Sequence, residues 1–415
     1  MDRAKSYLLA RQSEDGAWRS GTYGVLRDGA PLTPHVLTTL FFLCQRTGNE
    51  AHAFHKGTTY VATLIAEHAK TNDPVLSFPV YTAAPAVWLL GLEESKEYAQ
   101  ARRLWLDYLL EHRFGTHLGW STSDRAFGGW GYSVGRPRKY TLGRGTESGP
   151  DANISATLYG LGALRASGVS RTDPIYKEVL LFVEKCQNFT ENSESMEETF
   201  DDGGFFFSPV DAVRNKAGTA GTDRNGLERY HSYGSTTADG LRALLACGLP
   251  LDHPRVIAAR QWLELHFSAA SNPGTFKKDR EVLRNAYYFY YCWSVAHAFT
   301  RLDVRQVRTA DGTVDWAAEL ANELLRQQRQ DGSWINHYTH AKEDDPLVAI
   351  PFAAAALLIC RNVLDTGIIH DTSNHIMSGR GASPPSPKSS SASRHAATAA
   401  GSSSSPSEIG NWRFD

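Results

Sequence analysis

Gln12-Ser13-Glu14-Asp15-Gly16-Ala17-Trp18, near the start of the chain, and Gln328-Arg329-Gln330-Asp331-Gly332-Ser333-Trp334, near its end, both read Q-x-x-D-G-x-W. The same spaced residues twice in one chain point to internal repetition, which decides an architecture before any single residue is interpreted. Weaker copies lie between. Phe127-Gly128-Gly129-Trp130-Gly131 and Asp201-Asp202-Gly203-Gly204-Phe205 keep the glycine-aromatic turn, while Phe78 and Phe276 keep an aromatic and are placed by spacing. Taking Trp18, Phe78, Trp130, Phe205, Phe276 and Trp334 as equivalent gives six units of roughly 50 to 75 residues, room for two helices and their loops in each.

Each turn follows an amphipathic helix ending near Gln, as in Ala4 to Gln12 or Trp316 to Gln328, with apolar residues three and four apart. Each precedes a more uniformly apolar helix: Val36 to Cys44, Ile154 to Leu164, Thr236 to Cys247, Tyr287 to Phe299 and Leu347 to Cys360. Helices apolar nearly all round belong inside. Alternating outer and inner helices either stack as an open solenoid or close into a barrel of two concentric layers, and small apolar inner helices favour closure. In the repeat turn, Gly relieves the backbone, Asp caps the next segment and Trp packs across the helix ends, so Asp15 and Asp331 read as scaffold.

The chain has 415 residues, a formal charge of -2 and 41% hydrophobic residues, enough for a large core and without the basic excess of a nucleic-acid binder. The five cysteines lack C-x-x-C spacing and read as reduced core thiols. Met1 to Leu9 lacks a leader-like apolar stretch, so the expected compartment is the cytoplasm. Leu347 to Cys360 contains Pro351 and is shorter than the ~20 residues of a membrane span. No transmembrane segment is expected, while a peripheral membrane contact stays open. Ser378 to Ser407 is dominated by Ser, Ala, Pro and Gly and cannot bury enough apolar surface to order itself. The expected organisation is a folded domain over 1–369 and a low-complexity, disordered tail over 370–415.

The Q-x-x-D-G-x-W turns resemble the Gln-Trp repeats of squalene-hopene and oxidosqualene cyclases, a superfamily that shares its toroid with protein prenyltransferase β subunits. The resemblance covers Lys5 to about Val363. It implies an all-α (α/α)6 toroid, here a single one, with an apolar isoprenoid ligand in a central cavity and reacting groups on the N-terminal turns of the inner helices, where anions are favoured.

Cyclases that protonate an alkene use Asp-x-Asp-Asp, because one carboxylic acid must stay neutral and strongly acidic in a dry pocket. That motif is absent. Asp151-Ala152-Asn153 keeps its frame with Asn153 at the donor position, and Lys342-Glu343-Asp344-Asp345 keeps paired acids before an inner helix. Asp344, Asp345 and Asp151 are therefore the catalytic candidates, although an exposed helix start fits Asp-Asp-Pro equally well. Phe205, Tyr230, Tyr233, Tyr287, Tyr288 and Tyr291 are candidates for a cation-guiding aromatic wall, with one or two of the last three facing the cavity.

Gly203-Gly204-Phe205 with Tyr230-His231-Ser232-Tyr233 is similar to the zinc-binding helix start of prenyltransferase β subunits. His231 stands without the family's other ligands, so it is taken as a ligand-binding residue, with no metal and no cofactor expected. The long Gly-rich segment between Phe207 and Tyr230, with Asp211, Arg214, Lys216, Asp223, Arg224 and Glu228, reads as a lid over the cavity or as a surface excursion. Binding of an isoprenoid or similar apolar ligand in the cavity, with cyclase or isomerase chemistry as its possible extension, leads among the functions, ahead of a noncatalytic interaction ring and of prenyl transfer; whether the chain is an enzyme is not legible. Oligomeric state is not legible.

Overall fold

The computed structural model describes residues 1–366 other than 46, 71–75, 93–95, 140–148 and 192–195. The expected tail and its boundary at 369 lie outside the described residues.

Outer and inner helices alternate along the chain. The outer set is α1 (Asp2–Leu9), α3 (Gly48–His68), α5 (Ala99–Glu111), α7 (Pro174–Lys185), α9 (Pro254–His266) and α11 (Trp316–Gln327). The inner set is α2 (Thr33–Leu43), α4 (Pro79–Leu92), α6 (Ile154–Ala166), α8 (Gly234–Ala246), α10 (Tyr288–Arg301) and α12 (Pro346–Thr366). Neighbouring inner helices from α2 to α10 pack side by side. Phe352 of α12 lies 6.0 Å from the His35 ring of α2 and 5.3 Å from the Tyr290 ring of α10, which seats α12 between the first and fifth inner helices. The described chain is thus an (α/α)6 toroid rather than an open solenoid.

The repeat turns show why the sequence folds this way. Gln12 donates from Nε2 to the Gly16 and Ala53 carbonyls at 2.9 and 2.7 Å, tying its turn to the next outer helix. The Trp18 indole is wholly buried and donates to the Leu8 carbonyl at 2.7 Å, and its backbone N–H reaches Thr33 Oγ1 at 3.0 Å. Trp130 and Phe205 repeat that last contact with Thr157 and Thr237. Gln187 bonds Gly203 and Arg255 as Gln12 bonds Gly16 and Ala53. One inner-helix threonine thus receives the aromatic's N–H in several units, so that no buried donor is stranded.

The last unit docks on the first. Arg3 donates to Gln328 Oε1 at 3.1 Å and to the Gln330 carbonyl at 3.3 Å. Gly332 has φ +89°, and a β-carbon there would run into the Arg3 backbone, so only glycine lets the seam close. Across the same seam Tyr23 donates to Asp344 at 2.6 Å and Ser20 donates to Asp345.

Pro346–Asp365 is long and apolar enough to cross a membrane by length and composition, and most of it is buried as inner wall of the ring. Two hairpins decorate the toroid: β1 (Thr219–Thr222) with β2 (Glu228–Tyr230), and β3 (Gln306–Thr309) with β4 (Gly312–Asp315).

Candidate active site

The N-terminal ends of the inner helices open into a cavity of about 480 Å³, within the range of small-molecule sites. Helical periodicity selects its lining. Ser155 and Tyr159, four apart, face it from α6, Ser235 and Asp239 from α8, and Leu347, Pro351 and Phe352 from α12, with His35 from α2 and Tyr81 from α4. The walls are largely aromatic. Tyr81 stacks on Tyr132 at 5.3 Å, Tyr132 on Phe207 at 6.1 Å, and Tyr81 meets Tyr159 edge-on at 5.0 Å. His35 donates from Nε2 to the Tyr81 carbonyl at 3.1 Å, and burial depresses its pKa to about 4, so it stands neutral.

Two carboxylic acids line this cavity. Asp239, 1% exposed, accepts from Tyr290 Oη at 2.7 Å and from Ser294 Oγ at 2.5 Å. Tyr290 Oη also meets Ser155 Oγ at 2.5 Å, linking the acid by hydroxyls to the cavity wall. Burial pushes the Asp239 pKa up to about 6, against the pull of Arg242 and these hydroxyls. Glu343 is held differently. Oε1 accepts the Tyr290 N–H at 2.8 Å, and Oε2 accepts the Phe289 N–H at 3.0 Å and the Asn336 amide at 3.0 Å. Burial raises it to about 7 in spite of those donors.

The residues singled out from sequence divide. Tyr233 and Tyr287 line the cavity. Tyr288 and Tyr291 instead donate to the carbonyls of Ala269 and Ser268 at 2.6 and 3.0 Å and pack in the core, because five consecutive aromatics on a helix cannot share one face. Phe205 is wholly buried against Gly240, in the place Trp18 occupies in the first unit. Tyr230 donates to Glu228 at 2.7 Å, outside the cavity lining. His231 is likewise outside it, its backbone N–H bonded to Gly218. Among the described residues no group of three or more His, Cys, Asp or Glu side chains is arranged to hold a metal ion.

None of the three acids picked from sequence lines the cavity. Asp344 and Asp345 are spent on the seam with Tyr23 and Ser20, and Asp345 also caps α12 by accepting the Leu347 N–H at 2.9 Å. Asp151 straps the loop after Trp130 through the Tyr132 N–H at 2.8 Å and Ser133 Oγ at 2.9 Å. Asn153 is the N-cap of α6, accepting from the Ala156 N–H at 2.9 Å. Asp239 and Glu343 were missed as site residues. The signal for Asp239 was present: an Asp and an Arg three residues apart, Asp239 and Arg242, are the two charged residues of a buried inner helix.

The fold and cavity define an (α/α)6 toroid with an aromatic, acid-bearing centre. No protein-family model matches the chain, and no curated protein matches it. Among solved structures, the alpha-1,6-mannanase GH76A of Salegentibacter sp. HEL1_6 superposes with a TM-score of 0.51 at 11% identity, covering 86% of this chain and 98% of its own. An inactive variant of that mannanase with alpha-1,6-mannotriose gives 0.50 at 10% identity, with the same coverage. Type II terpene cyclase MstE from Scytonema, in complex with merosterolic acid A, gives 0.49 at 14% identity over 88% of this chain and 96% of its own. The mannanase likeness shows a shared fold alone. The cyclase superposition is looser and carries no argument.

Proposed function

We propose that the cavity binds an isoprenoid or comparable apolar chain and that Asp239 protonates an alkene of it to begin cyclisation or isomerisation. The observation that supports this most is a buried carboxylic acid, its pKa raised, within an aromatic-walled cavity. In the step, the Asp239 proton goes to one alkene carbon, the π pair forms the new C–H bond and the other carbon becomes a cation. Faces of Tyr81, Tyr159 and Phe352 stabilise it. An internal alkene attacks the cation to close a ring, or a neighbouring C–H yields its proton, and the last proton lost returns to the carboxylate. Ser155 and Tyr290 offer the hydroxyl path for that return.

A second reading, glycoside hydrolysis, is favoured by Asp239 and Glu343 facing one cavity, since that chemistry uses two carboxyl groups. Against it, both Glu343 oxygens are already occupied by N–H donors. The hollow centre also weighs against a ring that works only through its outer surface.

The test is lipid extraction and mass spectrometry of the purified protein, followed by incubation with squalene, polyprenyl substrates and, separately, mannosides. A captured isoprenoid or its conversion is expected. Neither, or hydrolysis of a mannoside, would overturn the proposal.

A further inference from the structure

The segment between Phe207 and β1 is neither a loose lid nor a bare surface excursion. Asn215 accepts the Phe207 and Ser208 N–H groups at 2.9 and 3.0 Å and returns bonds to the Ser208 and Asp211 carbonyls at 2.8 and 3.1 Å. Ser208 Oγ donates to the Ala152 carbonyl at 2.6 Å, and Arg280 donates to the Val213 carbonyl at 3.0 Å. A segment stapled this way fixes where the next residue points.

That residue is Lys216, 8% exposed and part of the cavity lining. Its Nζ lies 3.4 Å from the Phe207 ring centre and 4.8 Å from that of Tyr287. Among the described residues it makes no ion pair and no hydrogen bond. Arg214, exposed and also in the lining, marks the mouth, paired to Asp211 at 3.0 Å and set 4.8 Å from the Tyr132 ring centre. Lys342 adds a third cation to the lining. Against these, Glu343 is engaged by N–H donors and Asp239 lies behind hydroxyls in the second turn of α8.

A buried ammonium without a counter-charge is costly, and aromatic faces offset only part of that cost. Asp211 is paired to Arg214 and is also the carboxylate that acts on Lys216, so a single acid serves two cations at this end of the cavity. Burial and the neighbouring Arg214 press the Lys216 pKa down to about 7 against the pull of Asp211, and a bound anion would hold the ammonium charged.

We infer that the ligand carries an anionic head, a carboxylate or a phosphate, that docks on Lys216 and Arg214 while its apolar chain runs inward to Asp239. This rests on the proposed use of the cavity for an apolar chain, and it adds direction: the head is held by a loop, and chemistry falls at the far end of the chain.

The experiment measures binding by intrinsic fluorescence for geranylgeranoic acid, geranylgeranyl phosphate and geranylgeraniol, which share one chain and differ in the head. At least one anion is expected to bind roughly tenfold or more tightly than the alcohol, the two anions distinguishing carboxylate from phosphate. Added salt is expected to shrink that advantage in the native protein, Lys216→Met to abolish it and Lys216→Arg to keep part of it. Arg214→Met, at an exposed position, is a second variant that leaves the core alone and is expected to weaken anion binding several-fold. Equal binding of alcohol and anions, or an advantage unchanged in both Met variants, would overturn the inference while leaving the isoprenoid proposal standing. Binding of none of the three would overturn both.

Discussion

Tyr290 donates its phenolic proton to Asp239 Oδ2 at 2.7 Å while its backbone N–H is held by Glu343 at 2.8 Å. One residue at the start of α10 therefore positions one acid and is itself positioned by the other. Glu343 acts through backbone geometry, and Asp239 is left as the acid with a hydroxyl path to the wall.

If Asp239 is the proton donor, Asp239→Asn keeps the shape of the cavity and removes the chemistry. Turnover should fall by about 10² to 10⁴-fold, with ligand affinity within a few-fold of the parent. Single-turnover assay beside fluorescence titration separates the two, and retained turnover would remove Asp239 from its role.

Activity needs the protonated acid, so it should decline as pH rises through about 6, the value to which burial lifts Asp239. Tyr290→Phe removes a hydrogen bond that favours the ionised form, so the decline should move to higher pH. The kcat profile of both proteins reads this directly. A limb that stays put would mean that Tyr290 does not set this acidity.

Stability carries the same sign. Asp239 and Glu343 stand at about 6 and about 7 in the fold, above unfolded values near ~4, so the folded state binds more protons between those limits. Stability from these groups is fullest below the unfolded values and is lost as pH rises through the folded ones. The neutral, buried His35 works in the opposite sense over the same range, so the Asp239 share is read as a difference: the parent should gain Tm relative to Asp239→Asn as pH is lowered from 7 to 5. Parallel slopes in differential scanning calorimetry would contradict the assignment.

Asp344→Asn and Tyr23→Phe loosen the seam between the first and last units. Each should cost about 1–3 kcal/mol, the scale of a hydrogen bond to a charged group, and leave the pH dependence of turnover unchanged. Chemical denaturation and the kcat profile together test this. A loss of turnover without a loss of stability would return Asp344 to the catalytic candidates.

Trp334→Ala removes a wholly buried ring whose indole bonds the Leu324 carbonyl at 2.8 Å. About 3–5 kcal/mol should be lost, while truncation of the exposed Leu325 should cost little. Equal melting points would show that the repeat turns are not what holds the ring.

The toroid was legible in the chain because its signals are local. In Q-x-x-D-G-x-W, the Gln, Gly and Trp act on groups within about one turn or on the adjoining helix, as Gln12 does on Gly16 and Trp18 on Leu8. The same locality let an inner helix be recognised by its apolar face. What sequence alone did not reveal depends on partners brought together by closure. Asp344 looks like a catalytic acid until Tyr23, 321 residues away, is seen to take it, and Asp345 until Ser20, 325 residues away, does the same. Asp239 looks like an intrusion of charge in a buried helix until Tyr290 and Ser294 arrive from α10. Periodicity fixes which face a residue is on. Only the closed ring decides whether that face meets a cavity, a seam or the core, and so whether a carboxyl group there is an acid or a brace.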